Sequence, residues 1–184
     1  DILMKAAYMT PYSKLYKYDI INEKKIRFNS ALTSREDTLF VWTYLLYVDT
    51  IMNIGNTTYH YCITGNGLSN KRITIDESIY ALNEFYKILK EYEKRYDGFD
   101  MKFRYVWLLD EVLKKALTEE VAKIWCYNHR RKKLCQIIYS APTLSLFADK
   151  TIMPKGVKRK IFDCLIMKKR MSLLTLYSYI YMYE

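Results

Sequence analysis

Ten consecutive residues, Leu39-Phe40-Val41-Trp42-Thr43-Tyr44-Leu45-Leu46-Tyr47-Val48, carry no charged side chain. Immediately before them stands Thr33-Ser34-Arg35-Glu36-Asp37, in which a hydroxyl precedes a carboxylate by three residues twice over. At that spacing the two groups exchange bonds with the unpaired N–H groups of a first helical turn, so the pattern predicts a helix beginning near Ser34. A helix body that is apolar all round has no face for water and must be surrounded by protein. It is too short to cross a bilayer, which takes roughly 20 apolar residues, and so is the other long apolar window, Ser172–Tyr183. The chain must therefore build a core around this helix, and at 184 residues it is long enough to bury one without disulfides or metal.

The rest of the chain reads as long elements joined by few tight turns, because it holds only 5 Gly and 3 Pro. Thr74-x-x-Glu77 is a further capping box, and Ile79, Leu82, Phe85, Tyr86, Leu89, Tyr92 and Tyr96 follow at spacings of three and four. That predicts an amphipathic helix of about twenty residues, with Glu91 and Arg95 as an i, i+4 pair on its outer face. From Phe99 to Tyr139, Val106, Leu109, Leu113, Leu117, Val121 and Ile124 recur at helical intervals, which fits one long helix or two shorter ones. Pro142 and Pro154-Lys155-Gly156 interrupt before a last helix from about Val157. Short strands are expected near residues 12–17 and over 50–63, where β-branched and aromatic residues concentrate, with a turn at Gly55-Asn56 and a loop at Thr64-Gly65-Asn66-Gly67. The fold class expected is α+β, predominantly helical.

Charge divides the chain. Residues 1–100 hold 13 basic and 13 acidic side chains, whereas residues 101–184 hold 17 basic and 7 acidic, so the net +10 belongs to the second part. With the end of the amphipathic helix, this places a boundary between residues 1–98 and a basic helical extension at 99–184. A basic region of this kind suits nucleic acid, anionic lipid or a phosphorylated substrate. Cys62, Cys126, Cys135 and Cys164 are widely spaced, as in a reduced, cytoplasmic protein.

Glu36-Asp37 is the pair with the clearest chemical potential. Two adjacent acids at a helix start are stabilised in ionised form by the helix dipole and held at the rim of a core. A carboxylate in that position can accept the proton of a substrate hydroxyl; equally, both acids can serve the helix N-terminus alone.

The residues around the pair add a resemblance. Pro11-Tyr12-Ser13-Lys14-Leu15-Tyr16-Lys17, Ile26-Arg27-Phe28, Glu36-Asp37-Thr38-Leu39-Phe40, Tyr59-His60-Tyr61 and Gly67-Leu68-Ser69 together resemble, in order and interval, the second half of bacterial family-2 glycosyltransferases. The resemblance covers about residues 10 to 95. It implies a partial GT-A-type domain and the inverting transfer of a sugar from a nucleotide-sugar donor to a glycan or lipid-linked acceptor. The setting implied is surface polysaccharide synthesis at the inner face of the membrane. By the resemblance Asp37 is the general base and Glu36 lines the acceptor pocket. Lys14, His60 and Ser69 lie where substrate is held, with His60 near the diphosphate or metal. The family's Rossmann-like donor half, which ends in an Asp-x-Asp metal motif, precedes these segments and has no counterpart in this sequence. A divalent ion, Mg or Mn, is therefore expected in an intact enzyme and not in these residues alone, which are expected to be inactive by themselves. Where the family often carries an Arg after the aromatic strand, this chain has Cys62-Ile63-Thr64.

Other patterns carry less. Gly65-Asn66-Gly67 lacks the third Gly of a dinucleotide fingerprint. Cys126-x-x-His129-x5-Cys135 has zinc-like residue types, but on one helix Cys135 lies about 180° around the axis from Cys126. Three basic clusters, His129-Arg130-Arg131-Lys132-Lys133, Lys158-Arg159-Lys160 and Lys168-Lys169-Arg170, suit either a solvated helix surface or peripheral contact with anionic headgroups. No motif that reads DNA or RNA is present, so nucleic acid is not an expected partner. The alternative to the transferase is a noncatalytic basic helical module that binds an anionic partner, a membrane surface or nucleic acid.

Overall fold

A computed structural model describes residues 9–53, 59, 60, 62, 74–99, 105, 121–139, 164, 165, 168 and 170–181. Within them lie five α-helices: α1 (Tyr18–Glu23), α2 (Glu36–Leu45), α3 (Ile75–Arg95), α4 (Tyr127–Ile138) and α5 (Met171–Tyr181), with a 3-10 turn at Val121–Lys123 before α4. No strand occurs among the described residues. The chain divides into two compact units, one of residues 1–71 and 87–99 and the other of residues 72–86 and 100–184.

In the first unit α2 is the centre, as its uncharged sequence requires. Thr38, Leu39, Phe40, Val41, Trp42 and Tyr44 are all buried. Phe40, Val41 and Tyr44 form one cluster with Ile26, and Tyr16, Ile20, Ile21, Leu45, Tyr47 and Val48 pack around it. Tyr92, from the C-terminal part of α3, donates its hydroxyl proton to the Trp42 carbonyl at 2.7 Å in a fully buried contact. The start of α2 differs from expectation: the N-cap is Arg35 rather than Ser34, in the left-handed region at φ 65° and without a side-chain cap. Asp37 instead accepts from its own neighbour, Thr38, whose hydroxyl is engaged with the Met9 carbonyl.

Helix α1 ends in a Schellman motif. The Ile26 N–H donates to the Ile21 carbonyl at 2.9 Å and the Lys25 N–H to the Asn22 carbonyl at 3.2 Å, which turns the chain so that Ile26 enters the core. The motif puts Lys25 at φ 52°, where an L-residue other than Gly is strained by about 1–2 kcal/mol. Its side chain is exposed. Lys25→Gly is expected to raise stability by roughly 0.5–1 kcal/mol, part of the relief being offset by the greater freedom of Gly in the unfolded chain. Urea unfolding followed by circular dichroism checks this, and an unchanged or lower midpoint contradicts it.

The strand expected near residues 12–17 is not formed. Ser13 is left-handed at φ 56°, which breaks an extended run, and the segment's polar groups are used in side-chain contacts. The Lys17 N–H donates to the Tyr44 hydroxyl at 2.8 Å and the Tyr16 hydroxyl to the Pro11 carbonyl at 3.0 Å. Over 50–63, residues 50–53, 59, 60 and 62 form no strand, for no described neighbour offers a ladder to pair with. The rest of that stretch, with the turn at Gly55-Asn56 and the loop at 64–67, lies outside the described residues, as do Pro142, Pro154 and the stripe from Val106 to Leu117.

Helix α3 is the element the sequence predicts best. Its capping box is complete: the Thr74 N–H donates to Glu77 Oε2 at 2.8 Å and the Glu77 N–H to Thr74 Oγ1 at 3.2 Å. Ile75, Ser78, Ala81, Leu82, Phe85, Leu89 and Tyr92 are buried, while Tyr96 is exposed. Glu91 pairs with Lys94 at 2.7 Å instead of with Arg95, which extends toward Asp49 at 4.0 Å.

In the second unit α4 and α5 pack together, through Leu134, Ile137 and Ile138 on α4 and Met171, Leu174, Thr175 and Ser178 on α5. The run 129–133 is not a continuous basic surface. His129, Arg131 and Lys132 are exposed, but Arg130 is 1% exposed. Its Nε donates to the Ile124 carbonyl at 2.8 Å, its NH1 lies 3.4 Å from Ser178 Oγ, and its guanidinium sits 3.6 Å from the centre of the Tyr179 ring. Lys158, Arg159, Lys160 and Lys169 lie outside the described residues.

Candidate functional site

The first turn of α2 presents Glu36 and Asp37, both half-buried. Successive residues on a helix point about 100° apart, so the two carboxylates do not face one and the same hydroxyl. Asp37 is the better fixed of the two. Its Oδ1 accepts from the Thr38 N–H at 2.6 Å and lies 3.3 Å from the Thr38 hydroxyl oxygen, and among the described residues its Oδ2 is outside these contacts. Thr38 Oγ1 in turn donates to the Met9 carbonyl at 2.9 Å, which ties the start of the helix to the loop of residues 9–14.

That loop carries Lys14. Its ammonium turns back on its own backbone, donating to the carbonyls of Thr10 at 2.5 Å and Tyr12 at 3.2 Å. Burial lowers its pKa from the usual lysine value. Tyr16 completes the staple through its bond to Pro11, and burial together with the neighbouring Tyr44 pushes its hydroxyl up to about 12, so it remains a proton donor at neutral pH. Tyr16 also packs edge-on against Phe40 and Tyr44, at 5.6 and 4.8 Å between ring centres. The loop is thus built onto the same helix that carries the acids.

His60 is exposed and follows Tyr59, whose ring stacks on that of Tyr12 at 4.3 Å and 11°. Asp37, Lys14 and His60 are therefore linked through a chain of contacts, from Asp37 to Thr38 to Met9, along the loop to Tyr12, and across to Tyr59. Ser69 lies outside the described residues. Spacing alone did not single out Arg35, whose side chain is partly buried beside Asp37. Burial lowers its pKa and the Asp37 charge raises it, so the carboxylate has a cation within electrostatic reach. The signal available in the sequence was the basic residue set between Ser34 and Glu36.

Among the described residues no three His, Cys, Asp or Glu side chains gather to hold a metal ion, so His60 has no donor set around it there. Cys126 is the exposed N-cap of α4, and Cys135 stands half-buried further along the same helix, which separates them as the helical spacing requires. Burial raises the Cys135 thiol, and the nearby Arg131 offsets this in part.

These residues define a mostly helical protein, and among them no helix is long and apolar enough to cross a membrane. No protein-family model, curated protein or solved structure matches the chain.

Proposed function

We propose that the chain is the acceptor-side part of a GT-A-type inverting glycosyltransferase, which moves a sugar from a nucleotide-sugar to an acceptor hydroxyl in the assembly of a surface glycan. Asp37 is the base. Inversion by a single displacement needs one carboxylate that takes the proton of the incoming hydroxyl as its oxygen attacks the anomeric carbon and the nucleoside diphosphate departs. The observation that supports this reading is the state of Asp37: one oxygen anchored by Thr38, the other outside that anchor, on a helix start joined to the loop bearing Tyr12 and Lys14. Glu36 borders the acceptor, and His60, next to the Tyr59 ring that stacks on Tyr12, is a further substrate-binding group. In an intact enzyme a bound Mg or Mn would support the leaving diphosphate. Among the described residues no three His, Cys, Asp or Glu side chains gather that could hold it.

The test is release of nucleoside diphosphate from uridine, guanosine and thymidine diphosphate sugars by the protein expressed with whatever coding sequence precedes residue 1 in its gene. Release that rises when an acceptor glycan or lipid-linked acceptor is added supports the reading. No acceptor-dependent release with any of the donors overturns it and leaves the noncatalytic basic module. The exposed Lys123, Arg131, Lys132, Lys168 and Arg170 favour that second reading.

A further inference from the structure

Helix α5 faces the wrong way for its composition. Its 11 residues, Met171-Ser172-Leu173-Leu174-Thr175-Leu176-Tyr177-Ser178-Tyr179-Ile180-Tyr181, include no charge. Burial of apolar surface alone would turn the leucines inward and the hydroxyls outward. Instead Thr175 and Ser178 are buried, while Leu173 and Leu176 are each 54% exposed. The buried hydroxyls have partners: Thr175 donates to the Met171 carbonyl and Ser178 to the Thr175 carbonyl, both at 2.7 Å, and Arg130 reaches Ser178. Tyr127 and Tyr179 hold the helix at either end, through the Ser172 carbonyl at 3.4 Å and the Trp125 carbonyl at 2.8 Å. The orientation is thus fixed by a polar seam beside Leu174, and Leu173 and Leu176 are left on the outer face.

We propose that this outer face docks on an anionic lipid surface, with Leu173 and Leu176 entering the acyl boundary and Lys168 and Arg170 meeting headgroups. Lys168 and Arg170 are exposed in the turn that leads into α5. Trp125, held beside Tyr179 at the far end, is 71% exposed, and Trp is a side chain suited to the membrane–water interface. At 1.5 Å per residue α5 is about 16 Å long, so it lies on a bilayer and does not cross it. Charge decides the occupant. Residues 101–184 carry 17 basic and 7 acidic side chains, so a second copy of this face is repelled, whereas a negative leaflet attracts each exposed cation. The proposal does not depend on Asp37 or on sugar transfer, and each fails independently of the other.

The experiment is co-sedimentation of the protein with phosphatidylcholine vesicles, without and with roughly 30% phosphatidylglycerol. Binding is expected to be at least about tenfold tighter on the anionic vesicles and to weaken with salt. Leu173→Ser with Leu176→Ser is expected to lower it more than about tenfold, with the protein still folded and its thermal unfolding lowered only slightly, because both side chains are more than half exposed. Lys168→Gln with Arg170→Gln is expected to remove much of the preference for anionic lipid while leaving the fold intact. Equal binding by wild type and the serine variant, or no preference for anionic vesicles, overturns the proposal. So does self-association without lipid that the serine variant abolishes, or tight binding to RNA or an acidic peptide with none to vesicles.

Discussion

On the proposed transferase reading, Asp37→Asn is expected to lower turnover of acceptor-dependent sugar transfer by about 10²–10⁴-fold, the usual contribution of a positioned general base. The substitution isolates the chemistry. Asn keeps an oxygen at Oδ1 that can accept from the Thr38 N–H, so the contacts that fix the side chain at 2.6 and 3.3 Å survive. It loses the negative charge and the affinity for a proton. Donor binding should be nearly unaffected, because no donor contact is assigned to Asp37, and the loss should fall on kcat rather than on KM for the nucleotide-sugar. Glu36→Gln is the internal comparison. Set one residue earlier, about 100° around the helix, Glu36 cannot face the same hydroxyl, and its loss should show mainly as a higher KM for the acceptor. Steady-state kinetics on both variants, with circular dichroism to establish folding, separates the roles. If Asp37→Asn turns over at a near-normal rate, Asp37 is not the base.

The parts of this molecule that a reader can find in the sequence are those decided by neighbours a few residues away. Thr74 and Glu77 are three apart and meet each other, so the start of α3 is legible. The uncharged body of α2 is legible because no solvent-facing orientation exists for it. The same local rule fails at Ser34 and Asp37. Their spacing fits a capping box, yet Asp37 bonds to the adjacent Thr38 and Arg35 takes the N-cap, because Thr38 is drawn to Met9, 29 residues earlier. Residues 12–17 are rich in tyrosine and so look like a strand, but Tyr16 acts as a packing and hydrogen-bonding side chain against α2 rather than as a ladder residue. At the candidate site the identity of the acids was visible, since it rests on type and position. The turning back of Lys14 onto its loop was not, for it depends on a left-handed Ser13 that no periodicity announces.

Arg130 is the largest departure from what its surroundings in sequence suggest, and Arg130→Met is expected to destabilise the second unit by about 2–4 kcal/mol. A run of five basic residues reads as solvated surface, and nothing local distinguishes the second of them. What buries it comes from 48 residues away: Ser178 accepts from its NH1 and Tyr179 lies under its guanidinium. Met fills much of the same volume, so the loss is not mainly one of packing. It leaves the half-buried Ile124 carbonyl without its 2.8 Å donor, at about 1–2 kcal/mol for a group that water reaches only in part. The contact with the Tyr179 ring adds about 1–2 kcal/mol at a desolvated site. Arg130→Lys should recover little, because an ammonium on a flexible stem can neither stack on Tyr179 nor present the planar fork that reaches two acceptors. Arg131→Met, one residue on and exposed, should change stability by less than about 0.5 kcal/mol. Urea unfolding of the three variants checks the contrast, and equal midpoints for the Arg130 and Arg131 substitutions would refute it. The same side chain explains the orientation of α5: with Arg130 in place, Ser178 and Thr175 belong inside beside Leu174, and Leu173 and Leu176 outside. Removing the guanidinium removes part of the reason for that arrangement. Folded Arg130→Met protein should therefore also bind anionic vesicles less tightly than wild type, although Arg130 itself is out of reach of any headgroup.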